Sequence, residues 1–239
     1  MREQPENGHK LVLFDIDGTL ISAGRVARDS ILRALEAAYP WRAQDYHQDR
    51  ARYDFSGKTD PQIVRDLVLE HVGPERFESD LPRALEMYLE ELERQLEPGS
   101  VVPKPGIPEL LARLAEEPRV TLALLTGNLE RGARLKLEPP GFNGYFPFGA
   151  FGSDSADRYR LPAIAVARAR EHTGREFRGK SVVVVGDSIH DVACGRSLGV
   201  RSVAVATGIT SSERLEAERP DALMADFSDT ARAVEAILG

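Results

Sequence analysis

Leu11-Val12-Leu13-Phe14-Asp15-Ile16-Asp17-Gly18-Thr19 decides how this chain is read: four apolar residues run straight into two aspartates, a glycine and a threonine. A short, continuous apolar run bounded by turn-forming residues is the pattern of a strand buried on both faces. The acidic residues then fall where that strand ends. Val183-Val184-Val185-Gly186-Asp187 repeats the pattern, with Asp191 four residues further on. Runs from Val120 to Leu125, Ser181 to Val185, Val200 to Val205 and, more weakly, Ala222 to Ala225 predict strands. Helical spacing is predicted over Val26 to Ala38, from Asp60 onward, over Arg76 to Leu96, around Leu110 to Leu114, and over Glu130 to Leu137, Leu161 to His172 and Asp229 to Leu238. Strands alternating with helices predict an α/β fold, a doubly wound and mostly parallel sheet sandwiched by helices.

Between Leu20 and Leu96 the pattern is helical with almost no strand signal, so an inserted small helical cap domain is expected. Turn-rich punctuation at Glu97-Pro98-Gly99-Ser100 and Pro103-Lys104-Pro105-Gly106 marks the return. Residues 1–20 and 98–239 then form a discontinuous core and 21–97 the insert, with hinges near Leu20 and Pro98. Asp60 before Pro61 suits a helix N-cap followed by a first-turn proline.

The 239 residues carry 38 acidic and 31 basic side chains, a formal charge of −7 that gives no reason to expect nonspecific nucleic-acid binding. One cysteine, Cys194, rules out an intramolecular disulfide and a multi-cysteine zinc cluster. No apolar run approaches membrane-spanning length and the first ten residues are polar, so a cytoplasmic protein with neither membrane nor nucleic-acid partner is expected. Five histidines at 9, 47, 71, 172 and 190 make no transition-metal pattern.

In a doubly wound sheet the C-terminal strand ends gather at one edge and form the usual ligand crevice. Asp15, Asp17, Asp187 and Asp191 would meet there. Either acidic pair alone could serve as loop and helix caps, but four crowded carboxylates repel one another unless a cation sits between them. Mg²⁺ prefers hard oxygen ligands and bridges naturally to phosphate. Leu124-Leu125-Thr126-Gly127-Asn128 supplies a third polar strand end, whose hydroxyl and backbone amides suit anionic oxygens. Arg158, or else Arg160, ahead of the helix beginning near Leu161 offers a cation to offset charge on a transferred group. Gly57-Lys58-Thr59 lacks the upstream glycine and strand of a nucleotide P-loop, so Lys58 is a candidate substrate contact at the entrance to the insert. Tyr53, Phe55 and Met87 are candidates to shape a pocket there.

Taken in order, Asp15-Ile16-Asp17-Gly18-Thr19, Thr126 and Gly186-Asp187 with Asp191 resemble the motifs of the haloacid dehalogenase superfamily, and the helical insert resembles the small cap of its phosphoglycolate phosphatase-like and phosphomutase-like branch. The resemblance implies Asp15 as nucleophile and Asp17 as general acid and base. It implies a Mg²⁺ cofactor held by an Asp15 oxygen, the Asp17 backbone carbonyl and Asp187, with Asp191 supporting the metal site. Thr126, Gly127 and Asn128 would hold phosphoryl oxygens. Gly18 would permit the tight loop and Thr19 would hydrogen-bond it. The family's third-motif lysine has no match here, and Arg158 or Arg160 stands in its place. A second aspartate two residues after the first disfavours dehalogenation, which leaves hydrolysis of a small phosphorylated metabolite, with phosphoglycolate the leading candidate that the resemblance implies. A phosphomutase of the sugar-phosphate type and a non-catalytic metal- or phosphate-binding protein are the alternatives, and the oligomeric state stays open.

Overall fold

Period-two alternation along β1 (Lys10–Phe14) sends Leu11 and Leu13 to one side and Val12 and Phe14 to the other, and all four side chains are fully buried. Only a sheet covered on both faces does this. In the computed structural model, which describes residues 8–39, 55–71, 77–97 and 99–239, β1 lies near the centre of a six-stranded sheet. Its neighbours are β4 (Val120–Leu125) and β6 (Val182–Gly186), both parallel to it. The order continues outward to the two-residue β5 (Gly149–Ala150) beyond β4, and to β7 (Arg201–Val205) and β8 (Ala222–Met224) beyond β6. Every pairing in this sheet is parallel.

On one face Val12, Phe14, Val183 and Val185 pack with Leu110, Leu111 and Leu114 of α4 (Ile107–Ala115) and with Ala233 and Ile237 of α9 (Thr230–Leu238). On the other, Leu11, Leu13 and Val184 meet Ala165 and Ala169 of α6 (Leu161–Thr173) and Cys194 of α7 (Ile189–Ser197). Burial pushes the Cys194 thiol up to about 12, so it is an inert packing group. Each apolar face of the sheet is thus closed by helices, which leaves the strand ends as the open edge where polar groups collect.

Among the described residues, three helices precede the return to the sheet: α1 (Val26–Ala38), α2 (Asp60–His71) and α3 (Phe77–Gln95). They form a separate apolar cluster around Ile31, Leu35, Val64, Leu67, Tyr88 and Leu92. The chain enters this bundle through β2 (Ile21–Ser22) and leaves through β3 (Val102–Pro103), which pair antiparallel. That ribbon lies where the sequence predicts hinges. Pro98 itself, like Tyr53 and His47, lies outside the described residues.

Helix α2 begins differently from the sequence expectation. Thr59 caps it, accepting the Gln62 N–H on its hydroxyl at 3.2 Å, while the Asp60 carboxylate turns away and accepts the backbone N–H of Leu129 at 2.9 Å. Both residue types cap helices well. Here the neighbouring N–H at the start of α5 (Glu130–Leu137) takes Asp60 across to the sheet body. The helix α8 (Ser212–Ala217) and the strand β5 carry too few residues to show a periodicity in the sequence.

Candidate active site

The parallel register brings the ends of β1, β4 and β6 side by side, and with them Asp15, Thr126 and Asp187. Above them lies a cavity of about 390 Å³ whose lining includes Asp15, Asp17, Thr126, Asn128, Arg158 and Asp187. The helical bundle supplies the opposite wall, through Ala27, Arg28 and Ile31 of α1 and residues 55–58.

Asp15, Asp187 and Asp191 are buried, and each offers a carboxylate oxygen within 4.8 Å of the others. Asp191 does two jobs at once. Its Oδ2 accepts the Ser188 N–H at 3.0 Å and the Ser188 hydroxyl at 2.6 Å, closing a capping box on α7, while its Oδ1 meets Arg158. Capping and site-building are therefore compatible uses of one carboxylate. Arg158, in a short 3₁₀ turn ahead of α6, also donates to Asp15 Oδ1 at 3.1 Å. Arg160 is exposed and does not line the cavity, so of the two candidate cations Arg158 is the one among the acids.

Burial and then the charge of Asp191 push the Asp15 carboxyl well above the carboxylate range, with Arg158 opposing. Burial likewise raises Asp187 to about 7. Three carboxylates against one guanidinium leave two formal negative charges uncompensated, and that repulsion adds to burial in raising the carboxyl pKa values. A divalent cation would neutralise them, so this donor set of hard oxygens fits one. Asp15 and Asp187 would hold it, and Asp191, with both oxygens committed, would steady its neighbours.

Gly18 has φ +88°, a left-handed turn that favours glycine, and a Cβ there would overlap the Asp187 carboxylate. Thr19 departs from its expected local role. Its hydroxyl donates across the sheet to Asp187 Oδ1 at 3.0 Å, because the parallel register brings that acceptor within reach. Thr126 is fully buried, and its Oγ1 accepts Asn128 Nδ2 at 2.8 Å. The Thr126 hydroxyl thereby keeps its own proton for another acceptor. Gly127 sits beneath the backbone of Lys58, where a Cβ would collide with the Lys58 carbonyl.

Lys58 lines the cavity, but its ammonium pairs with Asp66 of α2 at 3.0 Å. Phe55 lines the cavity, whereas Met87 packs against the helical bundle's apolar cluster. His190 meets the Tyr159 hydroxyl through Nδ1 at 2.9 Å and stands outside the acidic cluster. Sequence reasoning missed Lys136. This side chain of α5 is 2 % exposed, and its ammonium donates to Asp17 Oδ2 at 2.7 Å and to Asn128 Oδ1 at 2.6 Å.

The chain matches the family model for haloacid dehalogenase-like hydrolases over residues 9–199. It is 30% identical to a protein of Agrobacterium fabrum named phosphoglycolate phosphatase, over 91% of this chain and 89% of that one. It is 23% identical to a Halalkalibacterium halodurans protein named pyrophosphatase PpaX, over 91% of this chain and 93% of the relative. Among solved structures, a predicted phosphoglycolate phosphatase from Haemophilus somnus shares the fold with TM-score 0.70, at 21% identity and over 96% of this chain and 99% of that one. Among the described residues, no helix is long and apolar enough to cross a membrane.

Proposed function

Since the chain belongs to the haloacid dehalogenase-like hydrolase family, we propose that it is a Mg²⁺-dependent phosphatase of small phosphomonoesters acting through an aspartyl-phosphate on Asp15, with phosphoglycolate as the leading substrate. The observation that carries this reading is the buried cluster of Asp15, Asp187 and Asp191 with Arg158, opening on a cavity that also receives Asp17 and Thr126.

Arg158 holds Asp15 through Oδ1, and among the described residues no hydrogen bond reaches Oδ2. That oxygen attacks phosphorus in line with the ester oxygen, forming the Oδ–P bond as the P–O ester bond breaks. Asp17 gives its proton to the departing alkoxide, so the alcohol leaves neutral. The Thr126 hydroxyl and the Arg158 guanidinium face the phosphoryl oxygens, where negative charge accumulates. Asp17, now ionised, takes a proton from water; the water oxygen bonds to phosphorus, the Oδ–P bond breaks, and inorganic phosphate leaves with Asp15 restored. When bound, Mg²⁺ supplies Lewis-acid neutralisation of phosphoryl charge beside Asp15 and Asp187.

The helical bundle over the cavity acts as a cap that limits water during this sequence. Arg28 supports a substrate with a second anionic group. Among the described residues its buried Nε has no hydrogen-bond partner, Asp29 Oδ1 lies 3.8 Å from it, and its side chain lines the cavity. The carboxylate of phosphoglycolate suits that cation, as would a second phosphate.

The test is phosphate release over a panel of small phosphomonoesters with and without Mg²⁺, with Asp15→Asn as the matched control. A metal-dependent peak on phosphoglycolate, and no release or covalent labelling with Asp15→Asn, is expected. Turnover by Asp15→Asn at the normal rate would refute the nucleophile, and equal rates over the whole panel would refute the substrate.

A further inference from the structure

Lys136 occupies a position that packing alone would give to an apolar residue. On α5 it is buried along with Gly132, Ala133 and Leu137. Removing an ammonium from water is costly unless its protons find acceptors, and a methionine could fill a similar volume without that cost. The ammonium is satisfied by two acceptors, and both belong to the cavity: Asp17 Oδ2 and Asn128 Oδ1.

These contacts close a small network around one carboxylate oxygen. Asp17 Oδ2 accepts from Lys136 at 2.7 Å and from Asn128 Nδ2 at 2.8 Å, and Lys136 also holds the other end of the Asn128 amide at 2.6 Å. Since an amide oxygen must accept and an amide nitrogen must donate, Lys136 fixes which way Asn128 is turned. Asn128 Nδ2 then reaches Thr126 Oγ1 as well. Among the described residues no hydrogen bond reaches Asp17 Oδ1. The Asp17 side chain is 41% exposed and lines the cavity, and among the described residues these are the hydrogen bonds that hold its plane.

We propose that Lys136 is a positioning residue for the acid–base step: by clamping Asp17 Oδ2 together with Asn128, it presents Oδ1 to the leaving oxygen and afterwards to water. This rests on the reading of Asp17 as the general acid and base. Two bonds on one oxygen prevent the carboxylate from rotating about its Cβ–Cγ bond, and proton transfer depends steeply on that alignment. Lys136 lines the cavity, but the two acceptors that hold its ammonium are Asp17 Oδ2 and Asn128 Oδ1. Its largest effect is therefore expected on the steps that need Asp17, with a smaller one through Asn128.

Lys136→Met removes the clamp, and Lys136→Gln keeps a donor of shorter reach. For an alkyl phosphomonoester, Lys136→Met is expected to lower kcat by about 10–10²-fold, part of the roughly 10²–10⁴-fold that acid–base catalysis supplies. KM should change by a smaller factor than kcat, since Lys136 reaches the phosphoryl-binding Thr126 only indirectly, through Asn128. For p-nitrophenyl phosphate, whose leaving group needs little protonation, kcat/KM should fall by less than about fivefold. Lys136→Gln should lie between Lys136→Met and the parent protein. In an Asp17→Asn background, adding Lys136→Met should change the rate less than about twofold, because the two residues act as one unit.

An equal loss with and without Asp17, an equal loss on alkyl and aryl esters, or a rise in KM alone would overturn the proposal. So would failure of both Lys136 variants to fold, judged by circular dichroism, which would make the lysine structural. The two readings fail separately. If Asp17→Asn leaves alkyl ester hydrolysis intact, the acid–base assignment falls; if Asp17→Asn is impaired while Lys136→Met is normal, only the clamp falls.

Discussion

Asp60 provides the sharpest stability test, because its carboxylate lies buried where the helical bundle meets the loop after β4. Burial raises it from 3.8 to about 6, partly offset by the Lys136 ammonium and the Leu129 N–H. A carboxyl whose folded pKa lies above its unfolded value binds its proton more tightly when folded. Stability is therefore lost as pH rises from about 3.8 through about 6, and the loss is complete above that window. At 1.36 kcal/mol per unit, the shift corresponds to about 3 kcal/mol of ionisation penalty at pH 8. Asp60→Asn keeps an oxygen to accept the Leu129 N–H and cannot ionise. It should match the parent protein near pH 4 and gain about 1–3 kcal/mol at pH 8, which for a chain of this length is a rise of roughly 2–12 °C in Tm. The assay is the thermal midpoint of both proteins in metal-free buffer from pH 4 to pH 8. Asp15 and Asp187 titrate in both, so their contribution cancels in the difference. A Tm difference that stays flat with pH, or a less stable Asp60→Asn at pH 8, would refute the reasoning.

The remaining predictions concern the cavity wall and its seating. Arg28→Met should raise KM for phosphoglycolate by about 10–10²-fold, as expected for losing one charge-assisted hydrogen bond, and leave KM for p-nitrophenyl phosphate unchanged. Equal changes on both esters would remove Arg28 from recognition of a second anion. Gly127→Ala places a Cβ against the Lys58 carbonyl and should displace the segment between Lys58 and Asp60, whose backbone N–H at Asp60 bonds to Gly127 O at 2.8 Å. A loss of about 1–3 kcal/mol in urea unfolding is expected, and unchanged stability would show that the contact yields without strain.

What the sequence revealed and what it hid divide along physical lines. The strands around Leu11–Phe14 and Val182–Val185 are legible because burial on both faces demands an unbroken apolar run, and the acids after them are legible because such a run has to end in a turn. The match of Val26–Ala38 and Glu130–Leu137 to observed helices follows from periodic patterns that local packing rewards. Asp60 and Thr19 depart from what the sequence predicts for one shared reason. Each side chain has a local partner available in principle, and each finds a better one across the fold, at Leu129 N–H and Asp187 Oδ1. Local sequence shows that a group can bond; it does not show which distant group the register brings up beside it.

Lys136 is the instructive omission, since a signal for it was present. Gly132, Ala133 and Leu137 mark the buried side of α5, and Lys136 stands four and three residues after the first two, on that same stripe. A charge on an apolar stripe is an anomaly that asks for a buried counter-charge. The sequence could not say which acid answers it, because Asp17 lies 119 positions away. Once β1 and β4 are placed side by side the choice narrows to the acids at their ends, and Asp15 is already engaged by Arg158. Asp17 is left as the partner, so the same parallel pairing that assembles the nucleophile's cluster also joins the second acid to the helix after Thr126.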